Sequence, residues 1–332
     1  MNYNEAAKLI SDAKRIVVVQ SEIPDGDSLG SSLALEEILG DMGKEVSLFC
    51  PSELPEYIHY IQGWDRVTTE FDTSVDLAII VDTSSETLLS RVLETPGARS
   101  FFETHPVVVI DHHATESTLS FDHIMVADTA VATSQVIFDF ADSQNWTINS
   151  QAAENMLASI LSDSLGMTTQ NVNADTYRVA SELAKRGASP AVIEERRREF
   201  MKKAPEILAY KGELLTRIEY AAGGRLAMVH IPWEEIRQYS SKYNPSVLVL
   251  DEMRLVTGVE LAVAIKTYRN GRVTGKLRGN LPIAEDVAAH FGGGGHVYAA
   301  GFRAHDEYDT IVSELIKATE QASDAYHDAH TS

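Results

Sequence analysis

Pro24-Asp25-Gly26-Asp27-Ser28-Leu29-Gly30-Ser31 stands just after the apolar run 15–20 (RIVVVQ) and opens a stretch, 28–42, with helical spacing of Leu29, Leu33, Leu35, Ile38 and Leu39. A short β-branched run, a turn and then a helical stripe is the pattern of a buried parallel strand entering its crossover helix. Segments 45–49 (EVSLF), 77–81 (LAIIV) and 107–110 (VVVI) read as further strands, and 132–141 and 151–161 read as helices. This alternation predicts an α/β domain with a mainly parallel sheet flanked by helices.

Ligands of open α/β sheets bind beyond the carboxyl ends of the strands. Acidic residues stand at those ends here. Asp25 and Asp27 follow the first run, Asp82 follows LAIIV, and Asp111, His112 and His113 follow VVVI. Asp163 closes the helical pattern 151–161. Each has an ordinary reading alone: Asp-Gly-Asp as a turn, Asp82 as a helix cap, Asp163 as a loop residue. Together they predict converging carboxylates, which repel one another in a partly dry cleft unless a positive charge compensates. Oxygen donors with one or two imidazoles suit divalent ions such as Mn²⁺ or Mg²⁺.

Residues 175 to about 215 are helical and charged, including EERRREF at 194–200, which reads as a solvated face with acid–base pairs. The pattern then changes. Segments 226–231, 259–265, 273–277 and 299–304 read as strands, with Asn270-Gly271 as a hairpin turn. Segments 284–291 and 308–322 read as helices, and the tail from about Ser323 is expected to fray, leaving His327 and His330 incidental. The expected organisation is a catalytic domain over 1–185, a helical link over 186–215 and a smaller α+β domain over 216–325, with the catalytic cleft between the domains. Four glycines, Gly292, Gly293, Gly294 and Gly295, precede His296 in the second domain. Glycine amides can form an anion-binding nest, and Arg278 offers a bidentate phosphate donor at the end of its strand.

The chain has 332 residues, 28 basic and 49 acidic side chains, and a formal net charge of −21. That surface disfavours long nucleic acids, whose binding rests on phosphate neutralisation, but leaves room for short anionic substrates. The single cysteine, Cys50, rules out an internal disulfide framework and reads as core. No apolar run is long enough to span a membrane, so a cytoplasmic protein without membrane partners is expected. A homodimer is left open.

Asp111-His112-His113 after a hydrophobic strand resembles the signature of the DHH phosphoesterases, and 24–31 is similar to that family's first motif. Asp82 and Asp163 fall where its second and fourth motifs stand. The segment 292–301 (GGGGHVYAAG), with Arg278 upstream, resembles the DHH-associated C-terminal domain. The resemblance covers nearly the whole chain and is nearest to the nanoRNase and pAp-phosphatase group. It implies two metal ions, Mn²⁺ or Mg²⁺. Asp25 and Asp82 would bind the first ion; Asp27, Asp82, His112 and Asp163 would bind the second. Asp111 would orient its neighbours, and His113 would sit near the scissile phosphate. Arg278, His296 and the glycine amides would hold substrate phosphate. The implied reaction is attack of a metal-bound hydroxide on phosphorus in short oligonucleotides, linear dinucleotides or 3′-phosphoadenosine 5′-phosphate (pAp). The family's first motif opens with a histidine three positions before the proline, and here Ser21 stands there. This departure keeps a second expectation open: a nucleotide-binding protein with a degenerate first metal site and little turnover.

Overall fold

A computed structural model describes residues 2–113, 116–240 and 243–330. The chain divides after Lys202 into two compact units. The first runs α1 (Tyr3–Asp12), β1 (Arg15–Val19), α2 (Gly26–Asp41), β2 (Glu45–Phe49), β3 (Val67–Thr68), β4 (Leu77–Val81), α3 (Ser90–Glu94), α4 (Ala98–Thr104), β5 (Val107–Asp111), β6 (Ile124–Ala127), α5 (Thr133–Ser143), α6 (Ser150–Asp163), α7 (Ala174–Lys185) and α8 (Pro190–Phe200). Its sheet has the order β3-β2-β1-β4-β5-β6, and every pairing is parallel.

Strand alternation explains how this sheet is covered. Ile16 and Val18 of β1 join the core with Leu33 of α2, Phe140 of α5 and Met156 of α6. Val17 and Val19 face the other way, towards Phe101 and Phe102 of α4. Each such side chain is fully buried, worth about 1.5–3 kcal/mol apiece. Strand order reverses between β1 and β4, so the crevice at their carboxyl ends is the topological switch point. Strands β3 and β6 and the short helices α3 and α4 are additions to the sequence reading.

The second unit runs α9 (Pro205–Thr216), β7 (Glu219–Ala221), β8 (Leu226–Ile231), α10 (Trp233–Tyr239), α11 (Leu250–Arg254), β9 (Leu261–Thr267), β10 (Arg272–Gly279), α12 (Ala284–Ala289), β11 (Gly294–His296), β12 (Ala299–His305) and α13 (Tyr308–His330). Its mixed sheet has the order β11-β12-β10-β9-β8-β7, in which only β8 and β9 pair in parallel. The β9–β10 hairpin turns at Gly271, whose φ of 74° suits glycine. The division after Lys202 lies within 186–215, with α8 in the first unit and α9 in the second.

The expected fraying from Ser323 is corrected. Helix α13 continues to His330, because Ala318, Ala322 and Tyr326 repeat at four-residue spacing and pack on the second core. Arg225 pairs with Asp324 at 2.6 Å, and His327 lies 2.6 Å from Glu260. The EERRREF cations are paired as expected, with Arg197 2.7 Å and Arg198 2.9 Å from Glu194. Cys50 is buried and points its thiol at the Ser21 carbonyl. No helix among the described residues is long and apolar enough to cross a membrane.

Candidate metal centre

The site begins with the local chemistry of residues 25–31. Asp25 is the N-cap of α2. Its Oδ1 accepts from the amides of Asp27 and Ser28 at 3.0 Å each, and the Ser28 hydroxyl accepts from the Asp25 amide, closing a capping box. Helical spacing then sorts the motif onto two faces. Gly26 and Gly30 turn towards α6, where a Cβ would come within 2.2 Å of Ser162 Oγ and 2.7 Å of the Asn155 carbonyl. Asp27 and Ser31 share another face, and the Ser31 hydroxyl donates to Asp27 Oδ1 at 3.0 Å. The close approach of α6 lets Ser159 donate to the same oxygen at 2.5 Å. Asp27 Oδ2 accepts the Thr133 amide at 2.8 Å.

Asp82 leaves β4 with a left-handed backbone, φ 63°, a conformation aspartate tolerates better than most residues. Its Oδ1 accepts the Thr133 hydroxyl at 3.1 Å, so Thr133 at the start of α5 holds two of the carboxylates. The Ala130 carbonyl accepts a hydrogen bond from His112 Nδ1 at 3.1 Å, which leaves Nε2 as the ring's free donor atom. That Nε2 lies 3.5 Å from Asp82 Oδ1, 3.6 Å from Asp27 Oδ2 and 3.6 Å from Asp163 Oδ2. Asp163, the last residue of α6, is thus brought to the strand ends by its helix. His113 donates both its amide, at 3.1 Å, and its Nδ1, at 2.7 Å, to Asp111 Oδ1. Its ring is about half exposed beside His112, with centroids 4.3 Å apart.

Electrostatics reflect this crowding. Burial first, and then repulsion from Asp27, hold the Asp82 carboxyl well above the usual range. The same two causes push Asp163 up to about 6. Burial first, with repulsion from Asp27, raises Asp25 against the capping hydrogen bonds that lower it. Burial disfavours a charge on His112, but Asp82 and Asp27 outweigh it and push the ring up to about 10. His113 is raised chiefly by its bond to Asp111. Asp111 is the exception: burial raises it, but the two donors of His113 win and hold it low.

The donor set fits a divalent cation. Asp27, His112 and Asp163 form one group whose ligating atoms lie within 4.8 Å of one another, and Asp82, His112 and His113 form a second. One imidazole nitrogen and several carboxylate oxygens gather around a common point, at separations from the ring nitrogen too long for good hydrogen bonds.

Residues 15–161 match the N-terminal domain of the DHH family. The first unit thus carries a stretch that matches the DHH family's N-terminal domain. The chain is 27% identical over 90% of its length to the bifunctional oligoribonuclease and PAP phosphatase NrnA of Thermus thermophilus, covering 88% of that protein. It is 22% identical to the Bacillus subtilis protein of the same name, over 94% of this chain and 96% of that one. An exopolyphosphatase-related protein from Bacteroides fragilis has the same fold, with a TM-score of 0.81, 21% identity and 96% of both chains covered.

Among the DHH residues singled out from the sequence, Asp27, Asp82, His112, His113, Asp111 and Asp163 are gathered in the first unit. Asp25 is close enough to raise Asp82 and Asp163 through its charge but contributes no atom to either group. Ser21 is buried, and its hydroxyl donates to the Ile23 carbonyl at 3.1 Å while accepting the Ile23 amide at 3.3 Å. Arg278, His296 and Gly292–Gly295 belong to the second unit. Register places Arg278, Ala299 and His296 in one cross-strand row, and the Arg278 guanidinium donates to the Leu277 carbonyl at 2.9 Å. Sequence reasoning missed Thr133 and Ser159, the supports of Asp27 and Asp82. Ser31 lay inside the motif and carried the one available signal, its four-residue spacing from Asp27.

Proposed function

We propose that this protein is a metal-dependent phosphoesterase of the DHH family acting on short oligonucleotides, linear dinucleotides or pAp. The observation that carries the reading is the convergence of Asp27, Asp82 and Asp163 on the free Nε2 of His112. The names of the Thermus and Bacillus relatives supply two of these classes, short oligoribonucleotides and pAp.

In this proposal Asp27, Asp82, His112 and Asp163 hold one divalent ion. Asp25 and Asp82 hold another, with Mn²⁺ the expected metal and Mg²⁺ the alternative. Such ions lower the pKa of bound water and neutralise charge building at phosphorus. The protein's own part is positioning. Thr133 and Ser159 fix the carboxylates before metal arrives, and the Ala130 carbonyl keeps the His112 proton on Nδ1. Asp111 holds the half-exposed His113, which can donate to a phosphate oxygen or a leaving group. Arg278 and His296 grip substrate phosphate, and the Gly292–Gly295 amides let it approach the backbone. The acidic surface limits the length of a bound strand.

The test is Mn²⁺-dependent turnover of pAp, pApA and short RNA, with Asp82→Ala as control. Release of mononucleotide or phosphate by wild type, abolished in the variant, is the expected outcome. Equal rates from the two proteins would remove the proposed centre. Ser21 favours a second reading, a nucleotide binder with little turnover, because its hydroxyl is occupied by Ile23. Nucleotide affinity by calorimetry without product release under any divalent metal is the result that would select it.

A further inference from the structure

Three large apolar side chains of the first unit lie exposed in loops at the end of the sheet where the acidic residues gather. Ile23 is 69% exposed, Tyr57 59% and Leu165 73%. Ile23 comes two residues before Asp25, and Leu165 two residues after Asp163. Tyr57 belongs to a short 3₁₀ turn after β2, Glu56–Ile58. Tyr60, just beyond, sets that turn against the candidate centre. A Cβ on Gly26 would lie 3.7 Å from the Tyr60 hydroxyl and 2.2 Å from Ser162 Oγ. Gly26 separates Asp25 from Asp27, and Ser162 precedes Asp163. The loops are also tied to one another. The Cys50 thiol after β2 donates to the Ser21 carbonyl at 3.5 Å, and the Glu22 amide donates to the Leu88 carbonyl, after β4, at 3.1 Å.

The backbone fixes where each of these side chains stands. The Ser21 hydroxyl bonds both the amide and the carbonyl of Ile23, so the serine holds the segment that presents Ile23. Leu165 has a φ of 48°, and Gly166 and Met167 follow at 75° and 69°. Two non-glycine residues in the left-handed region are unfavourable, and such conformations gather where ligands are clamped. Ser164 enforces this one, its hydroxyl donating to the Ile160 carbonyl at 2.5 Å and accepting the Met167 amide at 2.9 Å. Met167 packs back on the core while Leu165 is left in solvent. The turn of Tyr57 is anchored by buried Ile58 and Ile61 and by His59, whose ring stacks on Trp64 with centroids 3.6 Å apart. Burial first, and then the charge of Asp25, raise the Tyr57 phenol. Apolar groups fixed at the edge of an acidic centre leave burial energy unused until a ligand with an apolar face covers them.

We infer that Tyr57, Ile23 and Leu165 form an apolar rim on which the base beside the reacting phosphate rests, with Tyr57 as its stacking face, and that this rim makes the protein favour purines over pyrimidines. A tyrosine ring stacks on any base and gains more from the larger purine face. Isoleucine and leucine add apolar contact but no hydrogen bonds, so the rim reads the size of the base and not its edge. The rim does not touch phosphorus. Its contacts are the same in ground and transition states, so they act on KM and leave kcat alone. The inference rests on the proposed phosphoesterase reading and adds to it a selectivity carried by residues outside the metal centre.

The experiment is steady-state turnover by the full chain in Mn²⁺ of three bisphosphates that differ in the base: pAp, its cytidine counterpart and the base-free 1,4-anhydroribitol 3,5-bisphosphate. Wild type should show its lowest KM for pAp and its highest for the base-free compound. Tyr57→Ala should raise KM for pAp about tenfold, the size of one lost base stack, with kcat within about twofold. Its KM for the base-free compound should stay within about twofold of wild type, and Tyr57→Phe should keep wild-type values throughout. Leu165→Gly should also raise KM for pAp while melting at or above the wild-type temperature, because glycine relieves the left-handed backbone. Equal losses on all three compounds, no loss on pAp, or a wild type without purine preference would each overturn the rim while leaving the phosphoesterase reading intact. Wild-type protein that hydrolyses none of the three overturns the rim, and pApA run alongside shows whether the phosphoesterase reading falls with it.

Discussion

Ser159 of α6 donates its hydroxyl to Asp27 of α2 at 2.5 Å, bridging 132 residues of sequence. The bond exists because α2 offers glycine where α6 crosses it. A Cβ at Gly30 would lie 2.7 Å from the Asn155 carbonyl and 2.8 Å from Ser159 Cβ, and a helix backbone does not yield cheaply. Gly30→Ala is therefore expected to destabilise the protein by about 1–3 kcal/mol and to weaken Mn²⁺ binding by moving Ser159 off Asp27. Gly40, on the same helix, has nothing within 4 Å of its Cβ position. Gly40→Ala should stabilise by up to about 1 kcal/mol through helix propensity and leave metal binding unchanged. Urea melts and Mn²⁺ titrations of both variants check this; equal effects at the two positions would refute the packing argument.

Asp82 sets stability against function. Its carboxyl is held far above the usual range by burial and by Asp27, so ionising it without a metal is unfavourable. Asparagine tolerates the same left-handed backbone and can still accept the Thr133 hydroxyl. Asp82→Asn should raise the melting temperature of the metal-free protein, by an amount corresponding to about 1 kcal/mol, while abolishing hydrolysis. Mn²⁺ should raise the melting temperature of wild type much more than that of the variant. A variant less stable than wild type in EDTA would show that the carboxylate, not its charge, matters to the apo fold.

Much of this was legible before any coordinates. Three β-branched runs with acidic residues behind them forced a parallel sheet with its polar groups at one end, and Asp27, Asp82 and His112 meet there. The supports were not legible. Thr133 and Ser159 reach the carboxylates only because α5 and α6 pack against α2, and neither lies near Asp27 or Asp82 in sequence. The C-terminal helix was cut short because polar residues between Ala318, Ala322 and Tyr326 mask a stripe that only the second core makes plain.

Asp163 gives a pH signature. Its carboxyl is pushed up to about 6 by burial and by Asp27, above its ordinary value near 3.8. The folded state thus holds this proton more tightly than the unfolded chain does. The associated stability is fully present below the ordinary value and is lost as pH rises through 6. Asp163→Asn carries no such charge, so its melting temperature relative to wild type in EDTA should climb between pH 4 and 7 and then level off. Metal binding demands the ionised carboxylate, so wild-type Mn²⁺ affinity should rise over the same interval. A wild-type-to-variant difference that stays flat across this range would contradict the assigned environment.

In the proposed two-metal centre, Ser21 stands where a nitrogen ligand of the first ion is expected. Its hydroxyl is engaged with Ile23 on both sides, as donor to the carbonyl and acceptor from the amide, which leaves it little capacity to serve as a ligand. Asp25 is similarly committed, with one oxygen capping α2 and one free. In that proposal the first position would rest on Asp25 and Asp82 without a nitrogen donor. Ser21→His should supply one, raising Mn²⁺ affinity by about tenfold and lifting turnover of pAp where the first ion is limiting. Calorimetric metal titration reads the first effect independently of activity, and phosphate release reads the second. Tighter metal binding without faster turnover would place the rate limit elsewhere. No gain in either would mean that the serine is not where this centre is weak.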